Sequence, residues 1–182
     1  MLVNLGNIYT NRFDLVKAGD PADLHRANDA YTEALALARE IHDLDCESRA
    51  LTSMGRCRIY MPDAVDGIQL LKSGHSLAIK TRDVWLIAHT SAELGRAFYA
   101  ARDLKTAKQH LLFALARAEQ FDYADLQVLC ALVLLKIARE GNATTVRKYE
   151  RIVRANRWRV QRKFPELVEY DEAAQEGAAC IE

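Results

Sequence analysis

The sequence lacks a net charge, a cysteine framework, a strand pattern and any apolar run approaching the roughly 18 residues of a membrane span. With 25 basic and 25 acidic residues its formal charge is zero. No whole-molecule field therefore recruits nucleic acid or an anionic membrane, and any electrostatic function must be local. The four cysteines, Cys46, Cys57, Cys130 and Cys180, lie 11, 73 and 50 residues apart, which fits neither a zinc ribbon nor a dense disulfide set. They read as reduced thiols in a cytoplasmic protein. The opening Met-Leu-Val-Asn-Leu-Gly has no basic stretch followed by an apolar one, so no export leader is expected. No segment sustains an alternation of β-branched residues, so strands are not expected either.

What is present is apolar content of 50% over 182 residues, enough for one continuous core, and a repeat. Leu94-Gly95-Arg96-Ala97-Phe98 opens a pattern in which an aromatic follows the glycine by three residues. Ala107 follows it by twelve, and Leu111 and Ala114 come at further steps of four and three. Met54-Gly55 repeats it one unit earlier with Gly67, Leu71 and Gly74. Leu5-Gly6 with Tyr9, then Ala27, Tyr31 and Ala34, forms a first copy whose second half arrives nine residues late, behind an insertion near Arg12 to Pro21. Ala34 to Gly55 and Gly74 to Gly95 are both 21 residues. The physical logic is that a small residue lets two antiparallel helices approach, and the large residue four positions on fills the space beside it.

This pattern, Leu-Gly-x-x-aromatic followed by small-x-x-x-large-x-x-small, resembles the tetratricopeptide repeat (TPR) family, in its longer subtype of about forty residues. The resemblance implies an all-α, right-handed α-solenoid of about four antiparallel helix pairs, with repeats near 1–42, 46–81, 84–120 and 123–163. An acidic helix or tail over 164–182 follows. In the last unit Leu135 stands where the glycine belongs, and Thr145, Tyr149 and Ile152 come two residues early, as in a degenerate terminal repeat that covers the array's end. Punctuation agrees: Asp20-Pro21, Pro62-Asp63 and Arg102-Asp103 start helices and Glu140-Gly141-Asn142 closes one. Helices are expected at 1–12, 21–42, 46–60, 63–81, 84–101, 104–120, 123–140 and 143–163, with a short ninth after Pro165.

No catalytic constellation emerges. His25, His42, His75, His89 and His110 fall on different helices, and His89 and Glu93 share a face without a His-Glu-x-x-His pattern, so no metal and no cofactor are expected. Phosphate loops and nucleophile elbows are missing, and Gly74-His75-Ser76 is explained by the small position of the second repeat. Asp43, Asp45 and Glu47 sit at a helix start, where acids complement the helix dipole. The chain reads as non-catalytic.

In the TPR family the residue after the glycine points into a concave groove. The resemblance transfers that position to Asn7, Arg56 and Arg96, with Lys136 forty residues on. Two residues before each glycine stand Asn4, Ser53 and Glu93, and four after come Thr10, Ile59 and Tyr99. Within Asn-Leu-Gly-Asn, the resemblance implies that Asn4 and Asn7 hydrogen-bond the backbone of an extended peptide. Arg49 and His89, seven residues before Arg56 and Arg96, lie two turns up the same faces. A basic residue on a helix face is ordinarily just solvated. In register at forty-residue steps these form a column suited to an acidic peptide.

A second candidate surface is the run from Arg147 to Lys163, eight basic residues with Glu150 the single acid. Helical spacing turns Val146, Tyr149, Val153, Val160 and Phe164 to the core and leaves Trp158 among Arg151, Arg154 and Arg162. This face fits a protein partner or internal pairing with Glu166, Glu169, Asp171, Glu172 and Glu176. Nucleic acid is disfavoured by the zero net charge. The leading expectation is a peptide- or protein-binding scaffold or regulatory module; similar arrays sit beside bacterial signalling and transcription-factor domains. The alternatives are a nucleic-acid-associated regulator using 147–163 and a homo-oligomer stacked through array ends. Because the first motif begins at Met1 with no cap before it, the chain reads as shortened or as a piece of a longer protein.

Overall fold

The computed structural model describes residues 2–15, 20–59, 64–139, 143–160, 166–171 and 173. Among them all regular structure is helical: α1 (Leu2–Leu15), α2 (Pro21–Glu40), α3 (Leu44–Ile59), α4 (Ala64–Thr81), α5 (Val84–Ala100), α6 (Leu104–Gln120), α7 (Ala124–Arg139) and α8 (Ala143–Asn156), then a 3-10 turn at Arg157–Arg159. Residues 166–171 are helical as well. None of these helices is long and apolar enough to cross a membrane.

Each helix packs on its neighbours in sequence. In addition α1 touches α3, α3 touches α5 and α5 touches α7, whereas among the described residues no even-numbered helix touches the next even one. The odd helices therefore form a row, with the even helices behind it.

The repeated glycines explain the close pairing. A Cβ on Gly6 would overlap the Tyr31 ring, one on Gly55 would lie 2.8 Å from Leu71 Cγ, and one on Gly95 would lie 2.5 Å from Leu111 Cγ. The same small-against-large contact thus recurs in three successive hairpins. Gly55 against Leu71, with Gly74 against Ser48 and Thr52, fixes α3 and α4 as antiparallel. In the last pair Leu135 and Tyr149 stand at the corresponding positions, both buried in the same core cluster.

Helix ends follow from local chemistry. The Asp20, Asp83 and Asp103 carboxylates accept from the backbone N–H of Ala22, Leu86 and Thr106 at 2.9, 2.9 and 3.1 Å, and Asp43 accepts from Cys46 at 3.0 Å. Hydrogen bonds from Cys46 hold Asp43 below its ordinary carboxylate pKa, and those from Thr106 do the same for Asp103. His42, Arg82, Arg102 and Asp122 take positive φ of 55 to 63°, closing α2, α4, α5 and α6 in the left-handed conformation that ends a helix. After three of them the chain makes the same bond, from Asp43, Asp103 and Tyr123 N–H to the carbonyls of Ala38, Phe98 and Ala118, each at 2.9 Å.

Two boundaries differ from expectation. α1 runs to Leu15, into the supposed insertion, and α8 stops at Asn156 rather than 163. Asn156 is a weak helix former, and its amide donates to the Ile152 carbonyl at 3.1 Å and to Gln127 Oε1 at 2.9 Å. These bonds tie it to its own last turn and to α7. The expected punctuation at Pro62-Asp63 and Glu140-Gly141-Asn142 lies outside the described residues.

A half-buried polar pair sits where α4, α5 and α6 meet. His75 Nδ1 lies 2.8 Å from Thr90 Oγ1 and His110 Nδ1 lies 3.2 Å from Ser91 Oγ, with the rings edge to face at 6.0 Å. Burial lowers both histidine pKa values from 6.5; His110 lowers His75 further and Lys72 lowers His110 further. The unfolded chain therefore takes up these protons first. Their contribution is fully present above pH 6.5 and is lost as pH falls from there through the lowered folded values. Thermal melts should show Tm dropping between pH 7 and 5, and His75→Gln/His110→Gln should flatten that slope; an unchanged slope would contradict this account.

Candidate functional site in the odd-helix row

Along α3 the residues Arg49, Ser53 and Arg56, and along α5 the residues Trp85, His89 and Glu93, recur at steps of three and four, which puts each set on one helical face. With Val3, Asn4 and Asn7 of α1, they line a cleft of about 250 Å³. One wall is a stack. The Arg49 guanidinium lies 5.0 Å over the Trp85 ring, and Trp85 stacks on His89 at 4.9 Å and 10°. Asp45 accepts from Arg49 Nε at 2.6 Å and fixes its direction.

Arg56 is deeper, with 5% of its surface exposed. Its Nη2 donates to Asn7 Oδ1 at 3.3 Å, and the Tyr31 hydroxyl donates to the same oxygen at 2.9 Å. Two donors on Oδ1 orient the Asn7 amide and leave its NH₂ as the remaining donor.

The C-terminal half of the column is engaged from within the chain. Arg96 donates through Nη1 to Glu93 at 3.1 Å and through Nε to Glu166 at 2.9 Å. Lys136 donates to Glu169. Asp171 lies 3.0 Å from Arg157 Nη2, and Tyr170 hydrogen-bonds Arg154 and raises its pKa. Leu167 is buried in the core formed by α5 to α8, and Tyr170 packs against that core. The segment 166–171 thus lies across both expected surfaces, the column and the basic helix. Leu167 contributes roughly 1.5–3 kcal/mol to this docking, and exposed pairs such as Lys136–Glu169 about 0–1 kcal/mol each. The fit is incomplete. A gap of about 110 Å³ remains among Arg56, Tyr99, Lys136 and Glu166, and a cleft of about 380 Å³ is lined by Leu135, Arg139, Arg154, Glu169 and Tyr170.

No protein-family model matches this chain, and no curated protein matches it.

Of the expected site residues, Asn4, Asn7, Arg49, Arg56 and His89 meet at the open cleft, and Arg56, Arg96, Tyr99 and Lys136 meet at the gap beside Glu166. Arg151, Arg154 and Trp158 are exposed, Trp158 at 79%, but Trp158 sits in the 3-10 turn rather than on a continuous helix. Its Nε1 donates to the Ala155 carbonyl at 2.9 Å. Arg162 lies outside the described residues. Trp85 was not anticipated, although its spacing of four from His89 carried the signal. Among the described residues no cluster of three or more His, Cys, Asp or Glu could hold a metal. Burial pushes the pKa of the Cys130 thiol far up, away from thiolate chemistry.

Proposed function

We propose that this chain is a TPR-like right-handed α-solenoid that works without catalysis as a binding module, holding an extended, acidic segment of a partner protein along the odd-helix row. The observation that supports this most is the open cleft spanning α1, α3 and α5, whose lining combines amide donors, a guanidinium and a ring stack. Asn4 and Asn7 offer donors to a peptide backbone, Arg49 offers a charge-assisted bond to a carboxylate, and the Trp85–His89 stack offers a flat apolar face. Glu93, at the floor, already has Arg96 as counter-ion, so it does not cancel Arg49.

Arg56 and Arg96 are nearly buried, whereas the Arg49 side chain is 35% exposed beside Asp45, which makes Arg49 and His89 the informative pair. A library of acidic peptides, read by fluorescence polarisation, should contain binders to the intact chain. Arg49→Ala/His89→Ala should weaken them at least about tenfold, since one lost hydrogen bond to a charged group accounts for that factor. Binding should also weaken with salt. Absence of any binder, or binding indifferent to both substitutions, would remove the cleft from consideration.

A further inference from the structure

The C-terminal half of the row carries more than a closed end. We infer that residues 166–171 are an exchangeable internal occupant of this half of the row, and that the partner it accepts in their place is an acidic amphipathic helix. Such a helix carries two carboxylates three residues apart around a buried leucine, as Glu166, Leu167 and Glu169 do. This deepens the proposed peptide-binding reading and rests on it.

Three observations carry the inference. The first is complementarity by position: Glu166 meets Arg96 of α5 and Glu169 meets Lys136 of α7. The i, i+3 spacing of the two acids on one helix face thus matches two helices of the row. The second is that the site keeps its own counter-ion. Arg96 is also paired with Glu93 of its own helix, with side-chain exposures of 11% and 4%, so removal of Glu166 does not strand a buried charge. The third is the poor fit. This segment buries Leu167 and most of Glu166, 11% exposed at its side chain, but leaves open clefts of about 110 and 380 Å³ beside it, where a closely fitted element would fill the space. Glu169, which pairs with Lys136, is 58% exposed at its side chain.

An acidic helix presented by another protein can make the same two ion pairs and the same leucine contact while filling the adjoining space with larger side chains. The internal segment sets a threshold, because a tethered occupant competes at high effective concentration. Binding in trans is therefore weak until the segment's own acids are lost or the competitor is better matched.

The test uses the intact chain and, as probe, a fluorescent synthetic peptide with the sequence of residues 164–176. Wild type should bind it weakly, Glu166→Gln/Glu169→Gln should bind it at least about tenfold more tightly, and adding Lys136→Ala should abolish the gain. Saturating probe should also speed amide exchange at residues 166–171 in wild type, which keeps the idea falsifiable if the variants melt early. No gain in the double variant, or exchange at 166–171 as slow as in α7 and unmoved by probe, would make the segment a fixed part of the core and overturn the inference. The two readings fail separately. Acidic library peptides that need Arg49 and His89 while the probe never exchanges would leave the cleft standing, and the converse would leave the internal occupant standing.

Discussion

Gly67→Val should lower the unfolding free energy by about 3 kcal/mol, the upper end of ordinary overpacking costs, and Tm by about 6–12 °C for a chain of this size. A Cβ at Gly67 would stand 2.8 Å from the Gly55 carbonyl oxygen, 3.0 Å from Ile59 Cγ1 and 3.1 Å from the Ile59 nitrogen. Two of those three neighbours are backbone atoms held inside α3, so no rotamer change relieves the clash. The contact is also reciprocal, since a Cβ at Gly55 would stand 2.8 Å from the Gly67 carbonyl oxygen. The axes of α3 and α4 would have to separate, and every side chain interleaved between them would lose contact. Gln69→Val, on the exposed side of the same helix, introduces the same side chain without the overlap and should shift stability by less than about 0.5 kcal/mol. Equal melts for the two variants would show that the close approach is not needed.

Glu93→Ala is the second large effect, at about 3–5 kcal/mol, the usual consequence of removing one member of a buried ion pair. Glu93 is 3% exposed, and it accepts from Arg96 at 3.1 Å from within its own helix. Its loss leaves Arg96 to Glu166, a partner from a weakly docked segment. Glu166→Gln removes another partner of the same guanidinium but keeps Glu93, and should cost no more than about 1–2 kcal/mol. Chemical denaturation of the two variants side by side gives the comparison. If Glu166→Gln proved the more damaging, the segment 166–171 would be the main support of Arg96.

Much of the fold could be read because its determinants are local and repeated. Gly6 with Tyr31, Gly55 with Leu71 and Gly95 with Leu111 meet in space as the spacing required, and the Asp20 and Asp103 caps stand where the punctuation placed them. The end of α8 was harder to read. Arginine has high helix propensity, so the run beyond Asn156 looked continuous, while the bonds that fix Asn156 to Gln127 and Ile152 depend on α7 being in place. In the site, the residues in register were legible but their occupancy was not. Arg96 and Glu166 are 70 residues apart, and nothing in a repeat pattern says which carboxylate reaches which base. The burial of Arg56 had the same cause, since Asn7 and Tyr31 come from the copy before it.

The left-handed residues His42, Arg82, Arg102 and Asp122 close links only two or three residues long between successive helices. Each residue added to a helix turns it by about 100°, so a link with no slack acts as a frame. Substitution leaves the frame intact, but one residue gained or lost beside Arg82 would turn the helices downstream against those before it, carrying Arg96 and Lys136 off the face that Arg49 occupies. Insertions and deletions here are frameshifts in three dimensions: the message downstream keeps its letters and loses its alignment.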